Sequence, residues 1–307
     1  MKRMYITSVF RRENPEDDPR DIGEVTIFDW ESKKTLGALD VIGSHEIKGG
    51  RSRGATGLDI MDGVLYVTTR GTVFGFDLET HGLVYKIDDL QGLPIGGFHQ
   101  LRCRDNKIWI ADCHSNSVVV FDLDGVLVDK LSMKKWHGAV NHMLPSDKQG
   151  FSWDIDKVHL NSLEWHPDTG DLYVTLMTRD LIFNYTKGEV VGKGVGSSPH
   201  DIKFLNKDTL LINASSAGNL VELNVKSGKT KTVWGQNVKK NPKSKHNDIG
   251  RVRGMDLHPK SNSVFVGSSP LSVHRVELGS YKTTESATVS DRSNECIYDL
   301  VLDPRDW

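Results

Sequence analysis

Cysteine is scarce in this chain: Cys103, Cys113 and Cys296 are the three in 307 residues, and none belongs to a C-x-x-C pair. That excludes a disulfide framework and argues against a thiolate zinc site, so any metal is expected to rest on histidine and carboxylate. An excess of one charge is also missing. Lys and Arg number 39 against 41 Asp and Glu, a formal charge of -2, so no global basic field exists to hold nucleic acid or an anionic bilayer. No apolar run approaches the ~18 residues of a membrane span. Met1 to Ile6 leads into the charged stretch from Arg11 to Arg20 without an apolar export core, and the expected location is cytoplasmic, with no membrane partner. The chain also lacks a G-x-x-x-x-G-K-S/T phosphate loop and a G-x-S-x-G nucleophile elbow, which removes P-loop ATPase and α/β-hydrolase chemistry.

What the chain has is glycine, 29 residues of it, between short β-branched and aromatic runs. Turns recur too often for helices of ordinary length, so the class is all-β. Gly57–Ile60, Val64–Thr68, Val73–Asp77 and Leu83–Ile87 read as four strands. The order returns in His99–Cys103, Lys107–Asp112, Ser117–Asp122 and Val126–Lys130. Further copies begin at Asn161, His200 and Gly254, which makes five complete units. Tyr298–Pro304 matches a first strand with nothing after it, while Met4–Val9, Glu24–Trp30 and Lys34–Leu39 are three strands without a first. The two ends complete each other. A four-stranded antiparallel unit in six copies predicts a six-bladed β-propeller, one domain over residues 1–307, its ring closed by N-terminal strands pairing with the C-terminal strand. Closure removes free sheet edges.

In such a ring the first strand of each blade lines the channel, so chemistry is sought where those strands begin. Thr56, His99, Asn161 with His159 two residues earlier, His200, Arg253 and Tyr298 occupy these places. Period-two alternation puts His159 and Asn161 on one side of their strand. The connection from Met133 to Val158 carries Trp136, His137, His142, Phe151 and Trp153, and a long aromatic loop is expected to act as a lid over a small ligand. The basic run Lys239 to Lys245 and the echoing pairs Arg51/Arg53 and Arg251/Arg253 supply local positive charge, and Arg53 and Arg253 lie next to channel strands. His166 and His258 sit in His-Pro turns and take no role, nor do His81, His114 and His274.

Two resemblances follow from these motifs. Pro199-His200-Asp201-Ile202, and Phe98-His99-Gln100-Leu101 leading into Ile108–Asp112, resemble the blade starts of NHL-type six-bladed propellers and of peptidylglycine amidating lyases. That resemblance implies histidines holding a zinc ion. His159-Leu160-Asn161-Ser162-Leu163, with Arg179 on the next hairpin, is similar to the His-x-Asn and downstream Arg of bacterial arylsulfotransferases, also six-bladed propellers. That one implies a histidine nucleophile, or one that stabilises the transferred sulfuryl group, with Asn and Arg on its oxygens. The chain departs from both: arylsulfotransferases are larger, exported proteins with an extra β domain, whereas no export signal is expected here, and the amidating lyases are secretory and disulfide-bonded, which three scattered cysteines do not match. The Glu/Asn/Asp metal set of gluconolactonase-like propellers is absent from the strand starts.

Three readings remain open. In the first, an arylsulfotransferase-like group transfer acts on a small anionic or aromatic substrate: His159 or His200 is nucleophile or base, Asn161 and Arg179 neutralise developing charge, His99 assists, and Arg53, Trp136, Arg253 and Tyr298 bind substrate. In the second, His99, His159 and His200 coordinate a divalent metal such as zinc for a lyase or hydrolase, with Asp201 orienting a ligand. In the third, the propeller binds a ligand or protein partner without turnover.

Overall fold

In the computed structural model, residues 1–11, 20–46, 52–141, 158–242, 248–292 and 295–307 are described; of Arg11, Arg20, Asp21, Glu46, Ser52, Arg53 and Asn141 only the backbone is. The described residues form six antiparallel sheets set as the blades of a β-propeller. Blade 6 draws on both ends of the chain, with β1 (Arg3–Arg11), β2 (Arg20–Asp29), β3 (Lys34–Glu46) and the short β4 (Ser52–Gly54). Blade 1 is β5 (Gly57–Met61), β6 (Val64–Thr68), β7 (Val73–Asp77) and β8 (Leu83–Ile87). Blade 2 is β9 (Phe98–Arg104), β10 (Lys107–Asp112), β11 (Ser117–Asp122) and β12 (Leu127–Ser132), followed by a 3-10 turn (Met133–Trp136) and the single short helix α1 (His137–Asn141) among the described residues. Blade 3 is β13 (Leu160–Trp165), β14 (Leu172–Leu176), β15 (Leu181–Asn184) and β16 (Glu189–Lys193). Blade 4 is β17 (Pro199–Asn206), β18 (Thr209–Ala214), β19 (Asn219–Asn224) and β20 (Thr230–Gly235). Blade 5 is β21 (Val252–Leu257), β22 (Ser263–Ser268), β23 (Ser272–Glu277) and β24 (Thr283–Thr288). The last strand, β25 (Glu295–Leu302), is the innermost strand of blade 6 and pairs with β1 from Met4↔Leu302 to Phe10↔Glu295. The complementary ends therefore meet, as the repeat pattern predicts. The strand β4, which pairs Val9↔Gly54 beside β25, is an addition the repeat does not contain.

Side-chain pattern explains the layering. Strands second from the axis are apolar on both faces, as in the wholly buried Leu172–Leu176, because each blade is covered by a neighbour on either side. Outer strands such as β24 carry polar residues facing solvent. The core is divided into clusters at the blade interfaces. Tyr5, Val25 and Ile27 of blade 6 meet Leu58, Leu65 and Phe74 of blade 1, and Tyr173 and Ile182 of blade 3 meet Ile202 and Ile212 of blade 4. Each such buried side chain contributes about 1.5–3 kcal/mol.

The inner strands are stapled to one another by polar side chains. Asp59 accepts the Cys103 amide at 2.8 Å, Gln100 the Leu163 amide at 3.0 Å, Asp201 the Met255 amide at 2.9 Å, Asp256 the Leu302 amide at 3.0 Å, and Asp299 the Leu58 amide at 3.4 Å. Each bond joins one blade to the next around the axis. At the centre, the Arg102 guanidinium donates to Asp201 at 3.1 Å and to Asp299 at 3.2 Å, and Gln100 also donates to Asp201. The channel interior is thus a buried ion-pair network beneath the mouth.

Candidate functional site: the channel mouth

A repeated irregularity builds the mouth. In β9, β13, β17 and β21 the pairing with the second strand slips, so that His99 and Gln100, Asn161 and Ser162, His200 and Asp201, and Arg253 and Gly254 each bulge opposite a single residue. Pairing of β25 with β1 slips likewise at Tyr298. A bulge re-aims side chains that strict alternation would send to opposite faces. Two successive residues can then serve the channel: the first at the rim, the second in the network below. His159 precedes β13 in a left-handed backbone conformation (φ 51°), so its place at the mouth comes from that turn and not from the period-two alternation expected with Asn161.

The structure brings several of the sequence-predicted residues together. His99, Asn161, His200, Arg253 and Tyr298 are all buried, none more than 8% exposed, and His159 is half-buried. The His99 and His159 rings meet edge to face at 4.9 Å between centroids. Tyr298 lies 5.7 Å from the His99 ring and 5.9 Å from the His200 ring, with the guanidinium of Arg253 5.1 Å over it. Asn161 donates its amide to the Pro199 carbonyl at 3.0 Å and approaches His200 Nδ1 at 3.2 Å, while its Oδ1 is buried without a hydrogen-bond partner among the described residues. Arg253 Nε donates to Ser215 at 3.3 Å. Arg179 stands on the 3-10 turn Met177–Arg179, whose backbone is tied to the His159 carbonyl at 3.0 Å, and burial holds its guanidinium below the usual range.

Other expectations are revised. Trp136 packs on Phe183 and Tyr185 and over Gly188, beside the β15–β16 turn at the end of blade 3 remote from Met177–Arg179, and does not cover the mouth. A half-buried indole against that hydrophobic flank is anchored there by contact area. The Arg53 side chain, His142, Phe151, Trp153 and Lys243 to His246 lie outside the described residues. Thr56 spends its hydroxyl on the carbonyls of Thr68 and Phe98 at 3.2 Å each, a structural bond.

Residues that the sequence reading passed over also reach the mouth. Cys113 follows β10 and is buried; one donor atom each from His99, Cys113 and His159 lies within 4.8 Å of the others. The third histidine of the expected metal set, His200, is outside that trio and stands with Asn161 and Tyr298. All three cysteines are free thiols. Arg70 follows β6 and lies 6.0 Å from the Tyr298 ring. Cys113, Arg70 and Arg179 share one positional signal: the turn from second to third strand returns the chain to the end of the blade where the first strand began.

Burial pushes the His99 and His200 imidazoles well below their usual range, and the neighbouring cations, Arg70 for His99 and Arg253 for His200, push the same way. The His200 ring is therefore neutral at pH 7. A separate concavity of about 470 Å³ between blades 3 and 4, lined by His166, Asp171, Lys187 and Asp208, opens at the opposite end of these blades and does not touch the mouth.

The chain is similar to solved β-propellers. The β-propeller domain of Cps50 (Swd1) from Myceliophteria thermophila matches with a TM-score of 0.51 at 13% identity, covering 93% of this chain and 88% of that one. A chain of a nidogen/laminin complex gives 0.61 at 14% identity, with 97% and 98% covered. A protein of unknown function from Bacteroides caccae gives 0.62 at 11% identity, with 97% and 99% covered. No protein-family model matches the sequence, and a search of curated proteins finds no match. Among the described residues no helix is long and apolar enough to cross a membrane.

Proposed function

We propose that the channel mouth transfers a small tetrahedral anionic group, a sulfuryl group foremost, from an aryl ester to an acceptor hydroxyl, with His200 as nucleophile. The observation that carries this reading is the convergence of His99, His200, Arg253 and Arg70 on the Tyr298 ring at 5.1 to 6.0 Å in a buried mouth. Two guanidiniums beside a neutral imidazole suit a substrate that is anionic and a nucleophile that must be unprotonated. Nδ1 of His200 lies 3.1 Å from the Ser198 carbonyl, which can only accept. With the Asn161 amide nitrogen, 3.2 Å from Nδ1, donating to the Pro199 carbonyl, the tautomer that satisfies the Ser198 carbonyl carries its proton on Nδ1 and leaves the lone pair on Nε2.

The step balances without a further reactant. The Nε2 lone pair forms an N–S bond while the S–O bond to the aryl oxygen breaks, its electrons leaving with the aryl oxide. The acceptor oxygen then displaces the imidazole, and its proton goes to the aryl oxide. Arg253 and Arg70 offset the charge on the transferred group, Arg179 adds to this from the His159 side, and Oδ1 of Asn161, without a partner among the described residues, can receive the acceptor's O–H. Tyr298 offers a ring face to an aromatic leaving group.

Incubation with 4-nitrophenyl sulfate and a phenol tests the proposal. The expected results are acceptor-dependent nitrophenolate release and a sulfuryl adduct on His200 by peptide mass spectrometry. His200→Ala should lose about a thousandfold or more of that rate. Absence of release from both sulfate and phosphate aryl esters overturns the reading, as does turnover untouched by His200→Ala. A nidogen/laminin complex shares this fold, so recognition without turnover is the second reading; binding of the ester with no product would favour it.

A further inference from the structure

We propose that His99, Cys113 and His159 form a binding site for one borderline-soft divalent cation, zinc foremost, with a coordination position open to the channel mouth. It does not depend on His200 as nucleophile, because His200 is outside the ligand set. Their three donor atoms lie within 4.8 Å of one another, and His99 and Cys113 are 2% and 1% exposed. Zn–N of 2.0 Å and Zn–S of 2.3 Å in a tetrahedron place ligand atoms about 3.3–3.8 Å apart, so rotations moving each donor by about 1 Å close the site.

The surroundings already fix two of the ligands. The Gly97 carbonyl accepts the Cys113 amide at 2.9 Å and lies 3.0 Å from His99 Nδ1. One oxygen thus holds the thiol-bearing turn and the imidazole together. A carbonyl can only accept, so Nδ1 of His99 carries the proton and Nε2 presents its lone pair, the arrangement in which the far nitrogen of a ligating histidine is tied to a backbone carbonyl. Gly97 must be glycine for this: a Cβ there would collide with the Asp112 carboxylate and the backbone of His114. The third ligand is delivered by His159 through its left-handed backbone (φ 51°), a conformation that disfavours non-glycine residues. That turn sets its ring at 85° to the His99 ring.

Donor chemistry selects the ion. Two imidazoles and a thiolate suit zinc or cobalt and disfavour magnesium and calcium, which take oxygen ligands. Three protein ligands with a fourth position vacant is the pattern of zinc that binds water or substrate, not of zinc that only braces a fold. A dication with one thiolate keeps a net positive charge beside Arg70, so the open position favours an anion.

The test uses the full chain, stripped with a chelator and titrated with Zn²⁺ by calorimetry and with Co²⁺ by absorption spectroscopy. One equivalent of zinc should bind, and cobalt should show tetrahedral visible bands with a thiolate-to-cobalt band in the near ultraviolet. Cys113→Ser should remove the thiolate band and weaken zinc about tenfold or more, as should His99→Ala and His159→Ala for zinc affinity. Cys103→Ser and Cys296→Ser should retain the band, and His200→Ala should retain both band and stoichiometry. The wild-type cobalt spectrum is independent of whether any variant folds. Failure to bind an equivalent, a cobalt spectrum without the thiolate band, zinc affinity unchanged in Cys113→Ser, or binding of copper with zinc and cobalt refused would overturn the site. Since none of these readouts involves turnover, a protein that binds zinc but leaves aryl esters intact sinks the group-transfer proposal alone.

Discussion

Arg102 and Asp299 show how much rests on single charges in the channel. Arg102 is the cation shared by Asp201 and Asp299, all three buried. Removing one partner of such a network leaves charge without compensation in a poorly hydrated interior, and Arg102→Leu is expected to cost about 3–5 kcal/mol in chemical denaturation. Burial pushes the Asp299 carboxyl up to about 7 against the pull of Arg102. The folded state therefore holds this proton more tightly than the unfolded chain. Its contribution to stability is full below the unfolded value of about 3.9 and is lost as pH rises towards 7. Expected in calorimetry is a Tm difference between wild type and Asp299→Asn that moves against the wild type from pH 5 to pH 8. His99 and His200 act with the opposite sign: their lowered values make the unfolded chain the better proton acceptor, so stability falls as pH drops through about 6.5. The histidines were legible in the sequence because they stand at strand starts. Arg102 was not, since its partners come from β17 and β25, and only the closed ring brings those beside β9.

At the scale of the element, the mouth depends on bulges and on turns that no propensity announces. Ser162 follows Asn161 in the β13 bulge, and its amide and hydroxyl are both 3.0 Å from the Thr175 hydroxyl, which meets the local donors that the slipped ladder leaves over. The sequence pattern located the first strand of each blade yet assigned channel-facing residues one at a time, where the structure supplies them in pairs. The turns after β6, β10 and β14 carry Arg70, Cys113 and Arg179 to the same rim. Gly97 illustrates the sensitivity of this layer: Gly97→Ala should lower stability by roughly 1–3 kcal/mol, because the added methyl meets the Asp112 carboxylate and the His114 backbone. The same variant should lose the thiolate-to-cobalt band if the Gly97 carbonyl holds Cys113 and His99 in register. Trp136 does not serve as an aromatic lid: its ring completes the flank of blade 3.

For the whole molecule, closure is the central property. β25 enters the ring between β21 and β5 and pairs with β1, so the first and last strands of the chain complete one blade. A chain ending before Glu295 should expose the inner edge of β1 and the faces of blades 5 and 1, and is expected to lose cooperative unfolding and to aggregate on gel filtration.

The repeat of hydrophobic runs and glycine turns determined the all-β class, the six blades and the joining of the two ends, because burial on both faces of a blade requires a recurring local pattern. Only the tertiary structure decided which side chains share the mouth. His99, Cys113, His159, His200, Arg253 and Tyr298 come from five blades, and their distances are set by ring closure and by bulges whose register depends on contacts between strands far apart in the chain.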